Sequence, residues 1–301
     1  MKQFGHACMT AMKIPRRIEP LIEEALVDTV ICQLMSGKEA MVYVVRCGEE
    51  LRCAKVYKES NKRNFHQSIS YTEGRRIKNS RRARAVAKGS RYGRSVQEET
   101  WQSTEIDMLC RLAAVGVRVP HFYNFFEGVL LMELIVDCKG DIAPRLNDVT
   151  LTAGQAREHH HLLTRQVVRM LCAGVVHGDL SEYNVLLGKD GPVIMDLPQA
   201  VDAAGNNSAY SLFRRDIDNL TAYFSQFASE LANTDYGSEI WSHYKSGRLH
   251  SEINLTGQIT HNNKPADVNS VVRVINNALK KQAALQQHKQ EKWARSRYSR
   301  C

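Results

Sequence analysis

The sequence predicts an α+β protein with two lobes, a β-rich N-terminal lobe followed by a mainly helical C-terminal lobe. Three observations predict this fold class. Short runs of β-branched and aromatic residues crowd the stretch from Val30 to Tyr57, and apolar residues recur at helical spacing after Thr152. The chain also has 301 residues, enough for two modest cores, and its composition is 43% apolar and 24% charged, as in folded globular proteins.

The N-terminal lobe is predicted to follow a short helix over residues 18–26. Five strands are expected where apolar runs are bounded by turn residues, and they cover residues 30–34, 41–46, 51–57, 122–126 and 129–134. Between the third and fourth strands, a helix is predicted from Glu98 to Val115, because apolar residues share one of its faces. Gly116 stands where a C′ glycine ends a helix.

The C-terminal lobe is predicted to open with a helix from Thr152 to Cys172, which Gly174 ends. Short apolar segments over 175–176, 185–187 and 193–195 precede two more helices, predicted over 212–231 and 268–290. The pattern divides the chain into an N-terminal extension (1–26), the N-terminal lobe (27–134), the C-terminal lobe (135–235) and a helical extension with a basic tail (236–301).

Composition also narrows the cellular setting. No apolar run approaches the roughly 20 residues that span a bilayer, and the basic first 17 residues hold no continuous apolar stretch of a secretory signal. The eight cysteines form no C-x-x-C pair and are typical of free thiols in a reducing compartment. We therefore expect a cytoplasmic protein with no membrane partner.

The net charge of +9 is concentrated in one block. From Lys58 to Arg94 there are twelve Lys or Arg residues against two acids, Glu59 and Glu73. Such a block can contact the phosphates of RNA or of a ribosomal particle, and it can equally be a solvated basic loop without a dedicated partner. The sequence leaves both interpretations open.

The strongest chemical signal is the segment His177-Gly-Asp-Leu-Ser-Glu-Tyr-Asn184, hereafter the His177–Asn184 loop. Asp179 can accept a proton from a hydroxyl nucleophile, and Asn184 can bind a metal through its amide oxygen; this is the catalytic-loop arrangement of kinases. Twelve residues beyond Asn184, Asp196 ends an apolar strand. A carboxylate there is a suitable ligand for Mg²⁺, which prefers oxygen donors and substrate phosphates.

The N-terminal lobe carries the matching phosphate-binding groups. Lys55 lies in the third strand, where its ammonium can pair with the α- and β-phosphates of ATP, and Glu105 on the following helix is its expected carboxylate partner. The turn between the first two strands can supply backbone N–H groups and a hydroxyl over the phosphates; it comprises Ser36, Gly37, Lys38, Glu39 and Ala40. It is neither a G-x-G-x-x-G nor a Walker A turn.

Together these segments resemble the RIO family of atypical protein kinases, and its type-one branch most closely, as a bacterial-looking or divergent member. The resemblance covers about residues 26–227. The segments that carry it are 36–43 (SGKEAMVY), 54–58 (AKVYK), 116–120 (GVRVP), 177–184 (HGDLSEYN) and 194–201 (IMDLPQAV). It implies a two-lobed protein-kinase-like fold, and the absence of D-F-G and A-P-E segments agrees with it.

The resemblance also implies roles. Lys55, oriented by Glu105, would bind ATP phosphates, Asp179 would be the catalytic base, and Asn184 and Asp196 would hold Mg²⁺. Further nucleotide contacts would come from the 36–39 turn and Val42, and from a linker that reads adenine through backbone groups, formed by Met132, Glu133 and Ile135. In this family the metal-binding Asp can itself be phosphorylated, and Asp196 would be that residue.

The expected function is therefore an ATP- and Mg-dependent RIO-type serine/threonine protein kinase or ATPase. It would phosphorylate itself or an unidentified protein, in a process linked to ribosomes or RNA. Two alternatives stand beside it. A small-molecule phosphotransferase of the antibiotic-kinase type shares the His-Gly-Asp-Leu start of the loop but not its continuation, and an RNA- or ribosome-associated factor could use ATP as a switch.

Overall fold

The computed structural model describes residues 14–37, 40–58 and 91–258, with only the backbone described for 91–101. Lys38, Glu39, most of the basic block, the helix predicted over 268–290 and the basic tail lie outside these residues. Within the described ranges, no helix combines the length and apolar character that crossing a lipid bilayer requires.

The N-terminal lobe is an antiparallel five-stranded sheet in the order β1-β2-β3-β5-β4. Its strands are β1 (Thr29–Ser36), β2 (Ala40–Cys47), β3 (Glu50–Tyr57), β4 (Phe122–Phe126) and β5 (Val129–Glu133). Two helices accompany the sheet, α1 (Glu19–Glu23) before it and α2 (Arg91–Ala114) between β3 and β4. The five strands and the helix before β4 were predicted from the sequence, and the structure confirms them.

The two faces of this sheet carry different side chains, because successive side chains of a strand point to opposite faces. On one face Tyr43 and Ala54, which are register partners, pack with Ile18 and Leu21 from the start of α1. On the other face Val42 is the register partner of Lys55. The sheet thus has one face that packs on an apolar cluster with α1 and one face that presents a buried lysine.

The C-terminal lobe is built on α3 (Ala153–Cys172), α4 (Ala209–Ser225) and α5 (Tyr236–Lys245). Thr152 begins α3 with a capping box, in which its hydroxyl accepts from the N–H of Gln155 and the Gln155 side chain accepts from its N–H. Small antiparallel pairs lie beside the helices, comprising β6 (Val175–Val176) with β9 (Val201–Asp202) and β7 (Val185–Gly188) with β8 (Gly191–Ile194). The predicted α+β, two-lobed architecture is confirmed.

Three details differ from the expectations. Helix α2 begins at Arg91, seven residues earlier than predicted, within the end of the basic block. The helix predicted over 212–231 is wrong at both ends, because α4 covers Ala209–Ser225 and a separate 3₁₀ turn covers Ser229–Asn233. Cys32 is disulfide-bonded, whereas five other described cysteines are free thiols, so the expectation of free thiols throughout is wrong at this residue.

Helix α5 was not predicted. Ile240, Trp241 and Ile253 are buried in the same core as the helices of the C-terminal lobe. The predicted C-terminal extension from residue 236 therefore begins with residues that pack into that core. The division of the chain at residues 26, 134 and 235 stays a prediction.

Candidate active site

A cavity of about 830 Å³ lies between the lysine-bearing face of the sheet and the segments of the C-terminal lobe. Apolar side chains such as Leu34, Ile142 and Leu186 form much of its lining. The predicted site residues in the lining are Gly37, Val42, Lys55, Glu105, Met132, Glu133, Ile135, Asn184 and Asp196. The chain therefore brings together, in one cavity, residues separated by up to 159 positions.

Lys55 connects the two lobes at the base of the cavity. Its Nζ atom donates to Glu105 Oε1 at 2.6 Å and to Asp196 Oδ1 at 2.9 Å. Burial alone would lower the pKa of Lys55, but the nearby carboxylates of Asp196 and Glu105 outweigh burial and raise it well above the ordinary value. The ammonium stays charged, as a group that binds phosphate must.

Asp196 follows β8 in a left-handed backbone conformation, with φ of 64°. Asp and Asn tolerate this region better than most residues, since their short polar side chains bond locally. The Lys55 ammonium lowers the pKa of Asp196, against the opposing effect of burial. The turn therefore presents an ionised carboxylate to the cavity.

The His177–Asn184 loop is fixed by hydrogen bonds along its length. His177 is buried, and its Nε2 lies 3.0 Å from the Met195 carbonyl, next to Asp196. Asn184 donates through Nδ2 to the Asp179 carbonyl at 2.8 Å, which turns its amide oxygen to the opposite side. The Met195 N–H donates to the Asn184 carbonyl at 3.0 Å. Asn184 and Asp196 are thus held next to each other.

Asp179 projects from this loop beside the cavity with an exposed side chain, and it is absent from the cavity lining. Desolvation raises the pKa of its carboxyl group, while His177 and Arg215 oppose the rise. A carboxyl group with a raised pKa on an accessible loop is suited to accept a proton from an incoming hydroxyl. Ser36, at the end of β1, also lies outside the lining.

The sequence did not predict a role for Asp216, which anchors the His177–Asn184 loop to helix α4. Its side chain is buried in α4 and accepts from the Gly178 N–H at 2.7 Å and the Leu180 N–H at 2.9 Å. Burial raises its pKa to about 7, against the opposing effect of these two donors. The only sequence signal was its place in the Arg214-Arg215-Asp216 segment, which also resembles the RIO family.

The linker between the lobes is held by an ion pair on Glu133. Arg118 forms a two-pronged ion pair with Glu133, with N–O distances of 2.7 and 2.6 Å, and the His121 N–H donates to the same carboxylate at 3.1 Å. The hydrogen bond from Arg118 helps to lower the pKa of Glu133 although burial acts against it. The Glu133 N–H is also engaged, since it donates to the His121 carbonyl at 2.8 Å, which leaves the backbone carbonyl as the group that Glu133 can offer a ligand.

Two further residues near the cavity were missed. Tyr57 donates its hydroxyl hydrogen to Glu105 Oε2, and Arg145 lines the cavity, where its charge helps to lower the pKa of Asp196. Tyr57 has no motif signal beyond its place two residues after Lys55. Arg145 lies in an irregular segment, where spacing predicts no direction for a side chain.

The oxygen donors of the site fit a hard cation. Among the side chains that the structure describes, no three His, Cys, Asp or Glu residues converge as a metal-binding group. Mg²⁺ does not need such a group, because it commonly binds one or two protein oxygens together with substrate phosphates and waters. Asp196 and Asn184 supply two such donors in the cavity lining.

Comparisons with known proteins agree with this geometry. Residues 41–236 match the RIO domain family. The RIO-type serine/threonine-protein kinase Rio1 of Haloferax volcanii is 32% identical over 209 residues, 69% of this chain and 67% of that protein. The serine/threonine-protein kinase rio1 of Schizosaccharomyces pombe is 34% identical over 125 residues, 41% of this chain and 25% of that protein. This chain therefore matches only a quarter of the yeast protein's length.

A solved structure extends the similarity to the fold. The crystal structure of the Rio2 kinase from Chaetomium thermophilum, an ADP/Mg²⁺-phosphoaspartate complex, superposes with a TM-score of 0.51 at 18% identity, over 70% of this chain and 59% of that one. The protein thus has a two-lobed kinase-like fold. Because the RIO domain match covers strands β2 to β5 from residue 41 onward, the His177–Asn184 loop and Asp196 together, the chain belongs to the RIO family.

Proposed function

We propose that this protein is an ATP- and Mg-dependent serine/threonine phosphotransferase of the RIO type, acting as a kinase, an ATPase or both. The observation that carries the proposal is Lys55, held at 2.6 Å from Glu105 and 2.9 Å from Asp196 at the base of the cavity. An ammonium between a fixed carboxylate and a metal-binding carboxylate can neutralise a polyphosphate. The named relatives are kinases, which supports the same conclusion.

Each part of the site would have one task. The apolar lining would hold the adenine, read by backbone groups of the Met132–Ile135 linker because Arg118 engages the Glu133 side chain. Lys55 would orient the phosphates, and Asn184 and Asp196 would hold Mg²⁺, which neutralises phosphate charge when bound. Asp179 would orient the acceptor hydroxyl and take its proton.

The test is transfer of labelled γ-phosphate by the purified protein, scored in three ways. Autophosphorylation, release of free phosphate and transfer to ribosomal particles separate a kinase acting on itself, an ATPase and a kinase acting on a partner. Phosphorylation of aminoglycosides in the same assay would favour the small-molecule phosphotransferase. Nucleotide binding without phosphate transfer or release would favour the ATP-switched binding factor.

Lys55 and Glu105 give the first prediction. Lys55→Ala should lower kcat/KM for ATP by about 100-fold or more, since a fixed charge on the phosphates is lost, and Glu105→Ala should lower it less. Lys55→Arg should rescue only in part, because a planar guanidinium does not replace a compact ammonium. Steady-state kinetics measure all three. Full rescue by Arg would count against a specific phosphate geometry.

We also propose a role in RNA- or ribosome-linked processes, which would depend on the basic block from Lys58 to Arg94. The central residues of the block lie outside the described part of the chain. The RNA-linked role is therefore supported by the charge of the block, which has twelve basic residues and two acids. A cytoplasmic location agrees with such partners and is proposed with them.

The second prediction tests this block. Replacing Arg75, Arg76, Arg81, Arg82 and Arg84 by Ala should weaken RNA binding and flatten its salt dependence, with a slope change of about 0.7 to 0.9 per lost phosphate contact. ATP hydrolysis without RNA should stay nearly unchanged. Filter binding at several salt concentrations measures the slope. A wild-type affinity in the non-specific range that the substitutions leave unaltered would remove RNA recognition by the block.

A further inference from the structure

The carboxylate of Glu105 is buried with a separate partner on each oxygen. Oε1 accepts from Lys55 Nζ at 2.6 Å, and Oε2 accepts from the Tyr57 hydroxyl. Glu105 is 3% exposed and Tyr57 is 4% exposed, so bulk water does not reach this pair. A buried carboxylate oxygen that loses its donor is costly, because no solvent replaces the lost hydrogen bond.

The position of the Tyr57 hydroxyl is set by the core and not by the site. Tyr57 lies two residues after Lys55 on β3, so both side chains project from the same face of the sheet. Its ring packs edge-on against Phe125, with 6.4 Å between ring centroids, and belongs to the same apolar cluster as Leu109 of α2. A ring fixed in this way aims its hydroxyl in one direction.

The hydroxyl decides which oxygen of Glu105 is left for Lys55. With Oε2 occupied by Tyr57, Lys55 is held by Oε1 alone and can also reach Asp196 at 2.9 Å. Without the hydroxyl, the carboxylate can rotate and take the ammonium with both oxygens, which draws Nζ towards α2. The Lys55 Nζ atom also lies over the Tyr57 ring, 5.5 Å from its centroid, so the ammonium and the tyrosine are direct neighbours.

The hydroxyl is also a permanent donor. Burial first, and then the negative charge of Glu105, raise the pKa of Tyr57 well above the ordinary value for tyrosine. The phenol therefore keeps its proton near neutral pH and remains the donor in its hydrogen bond to Glu105.

We propose that Tyr57 is a positioning residue of the site, whose hydroxyl orients Glu105 so that Lys55 is presented to the phosphates of the nucleotide. This inference rests on the proposed function, since it concerns the placement of the phosphate-binding lysine. Tyr57 acts through Glu105 and does not contact the nucleotide.

The test is Tyr57→Phe, which keeps the ring and removes the hydroxyl. We expect kcat/KM for ATP to fall about tenfold or more, as for loss of a hydrogen bond to a charged group. The fall should lie in kcat, with Mg-ATP affinity by calorimetry changed less than about threefold, because the placement of Lys55 matters most where charge develops. The matched control is Tyr43→Phe, a buried tyrosine on the opposite face of the sheet, bonded to Met41 Sδ at 3.3 Å.

A double-mutant cycle separates positioning from a merely structural role. In a Glu105→Ala background, Tyr57→Phe should have no further effect on kcat, because the group through which Tyr57 acts is gone. If the fold-losses in kcat of the two single variants multiply in the double variant, Tyr57 supports the lobe independently of Glu105, and the proposal is overturned. Thermal unfolding of all variants accompanies the kinetics. A kcat loss that follows the melting temperature, in Tyr57→Phe and Tyr43→Phe alike, also overturns it.

The outcomes for Tyr57 and for the proposed function are distinct. A wild-type protein that neither transfers nor releases phosphate contradicts the proposed function. An active wild type with an equally active Tyr57→Phe variant contradicts only the role of Tyr57. The positioning role of Tyr57 is established if the wild type is active, Tyr57→Phe is tenfold weaker and Tyr43→Phe is unaffected. It also requires that Tyr57→Phe adds no loss to that of Glu105→Ala.

Discussion

Replacement of Asp196 by Ala or Asn should lower phosphoryl transfer by about three orders of magnitude or more, because charge neutralisation supplies most of the rate acceleration in this chemistry. The change removes a proposed metal ligand and one of the two carboxylates that hold Lys55. Affinity for Mg-ATP falls as well. Single-turnover transfer assays and calorimetry with Mg-ATP measure the two effects.

Two variants control for misfolding at this position. Because Asp196 has φ of 64°, Ala adds backbone strain, whereas Asn tolerates the left-handed region and keeps the shape of the side chain. Asp190→Ala, in the turn at the far end of the same β7–β8 pair, should leave transfer near the wild-type rate. Transfer by Asp196→Asn within a few-fold of wild type would remove Asp196 from the proposed site.

Replacement of Asp179 by Ala should lower transfer by a similar factor, about three orders of magnitude, through a different cause. Asp179 is absent from the cavity lining, and its proposed partner is the acceptor hydroxyl and not the nucleotide. Affinity for Mg-ATP should therefore stay close to the wild-type value. The same calorimetry compares it with Asp196→Ala.

The control for Asp179 is Asp218→Ala, on the outer side of α4. Asp218 is exposed and pairs with Arg214 at 3.2 Å, an ion pair of the kind that contributes little to stability. Its removal should alter neither transfer nor binding. A loss of Mg-ATP affinity in Asp179→Ala equal to that in Asp196→Ala would contradict the division of tasks between the two carboxylates.

The parts of the fold that the sequence predicts well are those with strong local periodicity. The β1–β3 strands and the helix closed by Gly174 follow from alternation, apolar spacing and a C′ glycine. The start of α2 could not be predicted in the same way, because its first residues, Arg-Tyr-Gly-Arg, include a glycine, which disfavours a helix, and show no apolar periodicity. Helix α5 was missed for a similar reason, since Tyr236-Gly237-Ser238 is a weak helix start.

The site residues also differ in whether a local sequence pattern predicts them. Lys55, Asn184 and Asp196 were predicted because their spacing on strands and loops is typical of one chemistry, and the structure places them in one cavity. Asp216 and Tyr57 act through tertiary contacts, one to backbone N–H groups 36 and 38 positions away and the other to Glu105, 48 positions away. No local pattern encodes which buried polar group meets which partner.

The anchoring of the His177–Asn184 loop by Asp216 has a mechanical consequence. Asp179 and Asn184 belong to a loop that Asp216 ties to helix α4, whereas Lys55, Glu105 and Tyr57 are tied to the sheet and α2. The Lys55–Asp196 ion pair joins the two halves, with its lysine buried and its carboxylate 44% exposed. A movement that separates the two halves would break this ion pair and leave the Asp216 and Glu105 contacts in place, so neither half of the site would be rebuilt during nucleotide exchange.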